Sequence, residues 1–177
     1  MAASDLDLLS AWCGGDSGAG NALLDRYYQP LRRFFVNKVD DEVEDLVQRT
    51  LMACVRHRER LADARSFRAY LFRIARNELY DHLARRARGK VDFTVASVLD
   101  LGTTASAKLD ARIQHERLRM AMQHLPVDLQ VALELHYWED LSGSELAEAL
   151  DIPLGTAKSR IRKAKQEIQR ALQRIRV

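Results

Sequence analysis

Apolar residues recur at helical spacing along most of the chain. Leu6, Leu8, Leu9 and Trp12 open it behind Ser4, which with Asp7 makes a weak capping box, and Gly14, Gly15 and Gly18 break the run. A second helix is predicted from about Ala19 to Val36. Val43, Leu46, Val47, Leu51, Cys54 and Val55 then fall at intervals of three and four, the period of a helix with one buried stripe. The start of that helix gathers Asp40, Asp41, Glu42, Glu44 and Asp45, where the helix dipole favours negative charge. After a polar loop from His57 to Ser66, the period resumes in Phe67, Tyr70, Leu71, Ile74, Ala75, Leu79, His82 and Leu83. At least two of the aromatics Phe67, Tyr70 and Phe72 are expected in the core.

From Gly89 to about Lys108 the period disappears and Ser, Thr, Gly and small apolar residues take over, which suits a connector. Helices are predicted again at about Leu109 to His124, about Pro126 to Trp138, and Gly143 to Leu150 behind Ser142, which forms a full capping box with Glu145. A last helix begins near Pro153 and places Ala157, Ile161, Ala164, Ile168, Leu172 and Ile175 on one stripe. The brief alternation from Val91 to Val95 is the sole trace of a strand. The expected fold is therefore all-α, with two small helical domains, residues 1–88 and 109–177, joined by a flexible linker over 89–108.

Composition narrows the class. The chain has 177 residues, 47% hydrophobic and 30% charged, which is globular rather than fibrous or disordered. Its longest unbroken apolar stretch, Leu51 to Val55, is far too short for a membrane span, and the acidic Asp5 and Asp7 replace the basic start of a secretion signal. A soluble, cytoplasmic protein without membrane insertion is expected. Cys13 and Cys54 lack metal or disulfide spacing, so both read as plain thiols, and no metal or cofactor is expected. The best catalytic grouping is His57, Asp81 and His82, which comes with no phosphate loop, zinc motif or nucleophile elbow, so an enzyme is not expected.

Net charge is only +3, but its distribution is uneven. Residues 152–177 hold eight Lys or Arg against Glu167 alone, a net of +7. This segment follows a capped short helix and a tight turn at Asp151, Ile152 and Pro153, the layout of a helix-turn-helix. With the apolar stripe inward, Thr156, Lys158, Ser159, Arg162 and Lys163 face outward near the start of the second helix, where base edges and phosphates would be met. A solvated basic helix is the plain reading of charge alone; cap, turn and charge together favour DNA. The acidic Asp40 to Asp45 would repel DNA. It reads as a solvated helix start or as a docking site for a basic protein.

Taken together, the motifs resemble a known family. Asp41-Glu42-Val43-Glu44-Asp45-Leu46-Val47-Gln48 is similar to sigma region 2.2, and Ser66-Phe67-Arg68-Ala69-Tyr70-Leu71-Phe72-Arg73-Ile74-Ala75-Arg76-Asn77 to regions 2.3 and 2.4. Leu125-Pro126 through Ser142-Gly143-Ser144-Glu145-Leu146-Ala147, then Gly155-Thr156-Ala157-Lys158-Ser159-Arg160-Ile161, resembles region 4. The resemblance is to the bacterial RNA polymerase sigma factors of the sigma-70 family, and the absence of room for regions 1.1 and 3 resembles the extracytoplasmic-function (ECF) group.

The resemblance implies roles for individual residues. Asp41, Glu44, Asp45, Leu46 and Gln48 would dock on the clamp helices of the largest polymerase subunit. Asp63, Arg65, Ser66, Asn77, Arg85 and Arg86 would handle the minus-ten element, with Arg88 adding to backbone neutralisation; a polar pocket suits an unpaired base, and arginines suit the backbone. Thr156, Lys158, Ser159, Arg160, Arg162 and Lys163 would read the minus-35 element. The C-terminal domain would also meet the flap of the second-largest subunit, the 89–108 connector would thread toward the active-site cleft, and an anti-sigma factor is a further partner the resemblance admits. Three positions depart from the family pattern: Tyr70 for the usual Trp, Arg49 where Glu is frequent, and Gln130 where Arg is common. The rival reading is a helix-turn-helix regulator with an N-terminal sensor or dimerisation domain, which leaves the acidic string and the Ile74 to Asn77 context without a purpose.

Overall fold

A computed structural model describes residues 3–61, 66–89 and 117–174, and all its regular structure there is helical. The order is α1 (Asp5–Cys13), α2 (Ser17–Val36), α3 (Val43–Arg56), α4 (Arg58–Leu61), α5 (Phe67–Gly89), α6 (117–123), α7 (Val127–Tyr137), α8 (Gly143–Leu150) and α9 (Leu154–Arg174). The predicted connector and the Val91 to Val95 alternation lie outside the described residues.

Local chemistry sets the ends of these helices. In α1 the Ser4 hydroxyl accepts from the Asp7 amide at 3.2 Å while the Asp7 carboxylate accepts from the Ser4 amide at 3.0 Å, satisfying two otherwise orphaned donors. Gly15, at φ +106°, turns the chain, and Asp16 caps α2 through the Ala19 amide. The hairpin then closes tightly: a Cβ on Gly20 would lie 2.4 Å from Nε1 of the Trp12 indole. Gly20→Ala is therefore expected to destabilise the chain by about 1–3 kcal/mol through overpacking, read as a lower urea midpoint at unchanged slope.

The buried positions of α2 (Leu23, Tyr27, Leu31, Phe34, Phe35) and α3 (Leu46, Val47, Ala53, Cys54) follow the expected three-and-four spacing. Two expectations need correction. Val55, assigned to the buried stripe of α3, is 45% exposed, because α3 is covered along a narrower arc than its apolar residues occupy. The loop from His57 to Ser66 contains the short helix α4, pinned by the fully buried Leu61.

α5 and α7 are buried on more than one face. Phe67, Tyr70, Leu71 and Phe72 of α5 are all in the core, since α3 packs on one side of the helix and α8 on another. In α7 every residue from Leu129 to Leu135 is buried, Gln130 and Glu134 included. One continuous apolar cluster results, running from Leu9, Leu23 and Phe35 through Phe72 to Val131, Leu135, Leu146 and Leu150. A smaller cluster of Met122, Leu125, Leu129, Leu133, Ala164 and Ile168 joins α6, α7 and α9. The helices before residue 90 and those after 116 thus share a core.

Candidate nucleic-acid interface

The helix-turn-helix rests on two local devices. Ser142 and Glu145 cap α8 reciprocally, with the Glu145 amide donating to Ser142 Oγ at 3.3 Å and the Ser142 amide to Glu145 Oε2 at 2.9 Å. Asp151 then ends α8 in the left-handed region at φ +52°, and the Ile152 amide donates to the Ala147 carbonyl at 3.0 Å. Pro153 follows and α9 starts at Leu154. With Ala157, Ala164 and Ile168 turned inward, Thr156, Lys158, Ser159, Arg162 and Lys163 are exposed along one side. Arg160 faces elsewhere: it is half-buried, and its Nε lies 3.8 Å from the Asp128 carboxylate of α7.

Along α5, Ser66 and Asn77 stand eleven residues apart, a rise of about 16 Å on a helix. Ser66 caps the helix, accepting from the Ala69 amide at 3.2 Å, and its hydroxyl donates to Glu145 Oε1 of α8 at 2.7 Å. Asn77 is exposed, its carbonyl oxygen accepting from Arg76 Nη2 at 2.8 Å. Arg85 is exposed and donates to the Asp81 carbonyl, while Arg88, Arg49, Glu78 and Asp81 line one open groove with it. Arg86 Nη1 meets Asp41 at 2.7 Å, so one residue expected at DNA and one expected at a protein partner form a single ion pair. Asp63 and Arg65 lie outside the described residues.

The acidic string forms an exposed edge on α3. Glu44 pairs with Arg32 at 2.9 Å and Asp45 with Arg49 at 2.5 Å, both across solvent-exposed side chains, and Gln48 is exposed. Leu46 is fully buried and holds the helix from below; it has no surface to offer a partner. Met52, 46% exposed, and Val55 lie four and seven residues beyond Gln48, continuing the same face. The sequence carried that spacing, but the apolar stripe took Val55 for the core and passed over Met52.

The two halves meet through charge as well as apolar contact. Lys38 is fully buried, donates to the Phe34 carbonyl at 2.6 Å and pairs with the equally buried Glu134. Burial lowers the Lys38 pKa and raises that of Glu134, and the ion pair opposes both shifts. Gln130 Nε2 donates to Glu134 Oε1 at 3.0 Å and to the Asn37 carbonyl at 3.3 Å, so this departure from the family pattern fills the seam. Around it Arg33 Nη2 reaches Glu139 at 3.3 Å, and Arg68 Nη2 reaches the Asp140 carbonyl at 3.2 Å.

Glu145 sits on the rim of this seam. Burial would raise its pKa, but hydrogen bonds from Ser66 and from the backbone and side chain of Ser142, with Arg68 nearby, bring it down to about 2 from 4.5. A folded-state value below the unfolded one makes its contribution complete above pH 4.5 and lost as pH falls toward about 2. The difference in melting temperature between the chain and Glu145→Gln is therefore expected to shrink as pH is lowered through that window. A constant difference would remove the carboxylate from the seam's stability. Cys54, by contrast, is an inert thiol whose burial raises its pKa to about 12.

Comparison with known proteins fits both halves. Residues 22–89 match the family model described as Sigma-70 region 2, and residues 115–168 match Sigma-70, region 4. The chain is 30% identical over 172 residues to the RNA polymerase sigma-H factor of Pseudomonas aeruginosa, covering 90% of this chain and 89% of that one. It is 29% identical over 172 residues to the ECF RNA polymerase sigma-E factor of Haemophilus influenzae, covering 90% of each. Among solved structures it is similar to the sigma factor RpoE of Bartonella quintana in complex with the anti-sigma factor NepR, with a TM-score of 0.71 at 27% identity over 86% of this chain and 96% of that one. The fold of CnrH, solved with the cytosolic domain of CnrY, superposes with a TM-score of 0.70 at 23% identity, covering 96% of this chain and 97% of that one.

A two-part helical protein of this kind, with a capped helix-turn-helix at one end and an acidic helix edge at the other, is a transcription initiation factor. The chain belongs to the sigma-70 family, in its extracytoplasmic-function group, and its role is that of an RNA polymerase sigma factor. Among the described residues no helix is long and apolar enough to cross a membrane.

Proposed function

We propose that this sigma factor, acting in the cytoplasm as a non-catalytic subunit, divides promoter recognition between residues 1–88 and 109–177, with 89–108 as the linker threading toward the active-site cleft. The observation that carries the reading is the exposed row Thr156, Lys158, Ser159, Arg162 and Lys163 at the start of α9, which follows the capped α8 and its left-handed turn at Asp151. That row reads the minus-35 element, and Arg160 steadies α9 against α7 from its inner side. Asn77, with the 63–66 loop, holds unpaired minus-ten bases, and Arg85 and Arg86 neutralise the nearby backbone. Asp41, Glu44, Asp45 and Gln48, extended by Met52 and Val55, dock on the polymerase clamp, while the C-terminal helices meet the flap. The sigma factor solved with NepR supports an anti-sigma protein as a further partner here.

Run-off transcription with purified core polymerase on a promoter library tests the whole. On a promoter so identified, Arg162→Ala is expected to weaken binding by about 1–3 kcal/mol and to change the preference at one minus-35 position. Equal weakening on all sequences would make Arg162 a phosphate contact.

A further inference from the structure

α1, α2 and α8 each open on a side-chain cap, from Ser4, Asp16 and Ser142. α3 does not. It opens on Glu42, which stands in the left-handed region at φ +60° and makes no capping hydrogen bond with its carboxylate. An uncapped first turn leaves its amides without a partner and frays, yet Glu44 and Asp45 of the proposed docking edge belong to that turn. What holds the entry comes from α5. The Glu42 carboxylate is turned toward His82, whose Nδ1 lies 3.3 Å from Glu42 Oε2. One helical turn further along α5, Arg86 Nη1 meets Asp41 at 2.7 Å. Two successive residues at the mouth of α3 are thus gripped by two side chains stacked on one face of α5. Packing alone gives no reason for a histidine here. His82 is 3% exposed, and its Nε2 is buried with no hydrogen-bond partner among the described residues. An apolar side chain would fill the position without leaving a polar atom unsatisfied, so the imidazole is accounted for by the contact on its other side.

We propose that His82 is a positioning residue for polymerase docking: together with Arg86 it fixes the entry to α3, so that Glu44 and Asp45 are presented in an ordered first turn before the partner arrives. The edge is then preorganised, and docking does not have to order it. A guanidinium carries several N–H donors, so Arg86 holds Asp41 through one and keeps others for a DNA backbone. The inference rests on the reading that this edge of α3 meets the polymerase, and it adds a residue that touches no partner itself.

Variants of the full chain test it. His82→Leu removes the contact and the orphaned nitrogen while keeping the core filled, whereas His82→Asn gives up core volume but keeps an N–H near the Nδ1 position. Glu42→Gln and Glu42→Gly remove the same charge, but only Gln still offers His82 an acceptor, and Gly adopts φ +60° without strain. Urea midpoints read stability, and binding to purified core polymerase reads docking. Hydrogen exchange reads the entry itself through the Leu46 amide, which donates to the Glu42 carbonyl at 2.9 Å. His82→Leu is expected to be at least as stable as the parent, yet to exchange about five-fold faster at Leu46 and to bind core about three- to ten-fold more weakly, the scale of ordering a few side chains on binding. His82→Asn should be less stable but bind core within about two-fold of the parent. Glu42→Gln should bind core more tightly than Glu42→Gly at the same salt concentration.

Core binding that simply follows stability across these variants would make His82 a core residue and nothing more. Equal binding by Glu42→Gln and Glu42→Gly would show that only the charge of Glu42 counts. Faster exchange at Leu46 in His82→Leu with undiminished core binding would mean that α5 grips the entry but docking does not depend on it. Glu44→Lys with Asp45→Lys separates this inference from the reading beneath it. If that chain loses core while His82→Leu binds normally, the positioning role is wrong and the docking face stands. If both bind normally, the docking reading itself has failed.

Discussion

Replacing Lys38 with Ala is expected to cost about 3–5 kcal/mol, the range for breaking a buried ion pair by removing one partner. Its Nζ is the cation facing Glu134, whose other neighbour, Gln130, supplies a neutral donor. Without Lys38 the carboxylate faces the Phe34 region uncompensated and will take up a proton. Since burial already raises the Glu134 pKa, the closed state of the variant binds more protons than the unfolded chain. Stability must then fall as pH rises toward that raised value, so Lys38→Ala should be weaker at about pH 8 than at about pH 5. Urea denaturation at the two pH values measures this, with hydrogen exchange in α7 reporting whether the seam yields first. Lys38→Met together with Glu134→Leu should recover most of the loss, since apolar side chains of similar volume replace a buried pair at little cost. If Lys38→Ala alone behaves like the pair of substitutions, the seam does not depend on this charge.

How far the sequence disclosed this arrangement depended on what kind of signal each part carries. The limits of α8 were legible to the residue because Ser142 and Glu145 form a cap by short-range chemistry alone, and Asp151 with Pro153 closes the other end. The exposed row of α9 was legible because that helix is covered on one side only, so its period survives. Arg160 lies in the same basic run, but at the edge where α7 begins to cover it, beside Asp128, a neighbour no local pattern shows. Leu46 belonged to the docking string by resemblance, and its burial turns it from a contact into a support.

The seam was not legible at all. Lys38 and Glu134 are 96 residues apart, and each read alone is an ordinary surface charge. α7 gave one usable hint, an apolar run holding Gln130 and Glu134 with no polar face to place them on. A helix buried all round needs a partner for every polar side chain it carries, and the partner here lay beyond the reach of any local pattern.

Reversing two charges on the α3 edge should separate docking from folding more sharply than any other change. Glu44 and Asp45 pair with Arg32 and Arg49 across exposed side chains, and such pairs contribute about 0–1 kcal/mol each to stability. Glu44→Lys with Asp45→Lys should therefore leave the helical circular dichroism intact and lower the melting temperature by only a few degrees, about 2–4 °C per kcal/mol for a chain of this size. Its effect on a basic docking surface is far larger, because two attractive contacts become two repulsive ones at several kcal/mol. Binding to purified core polymerase is expected to fall by about a hundred-fold or more at physiological salt. Met52→Ala on the same face should weaken binding with little change in salt dependence, as an apolar contact would, whereas the charge reversal should be partly relieved at high salt. If the doubly reversed chain binds core as tightly as the original at physiological salt, this face of α3 does not touch polymerase. The exposed Met52 and Val55 would then be left without a partner, and the docking surface would have to be sought on another helix.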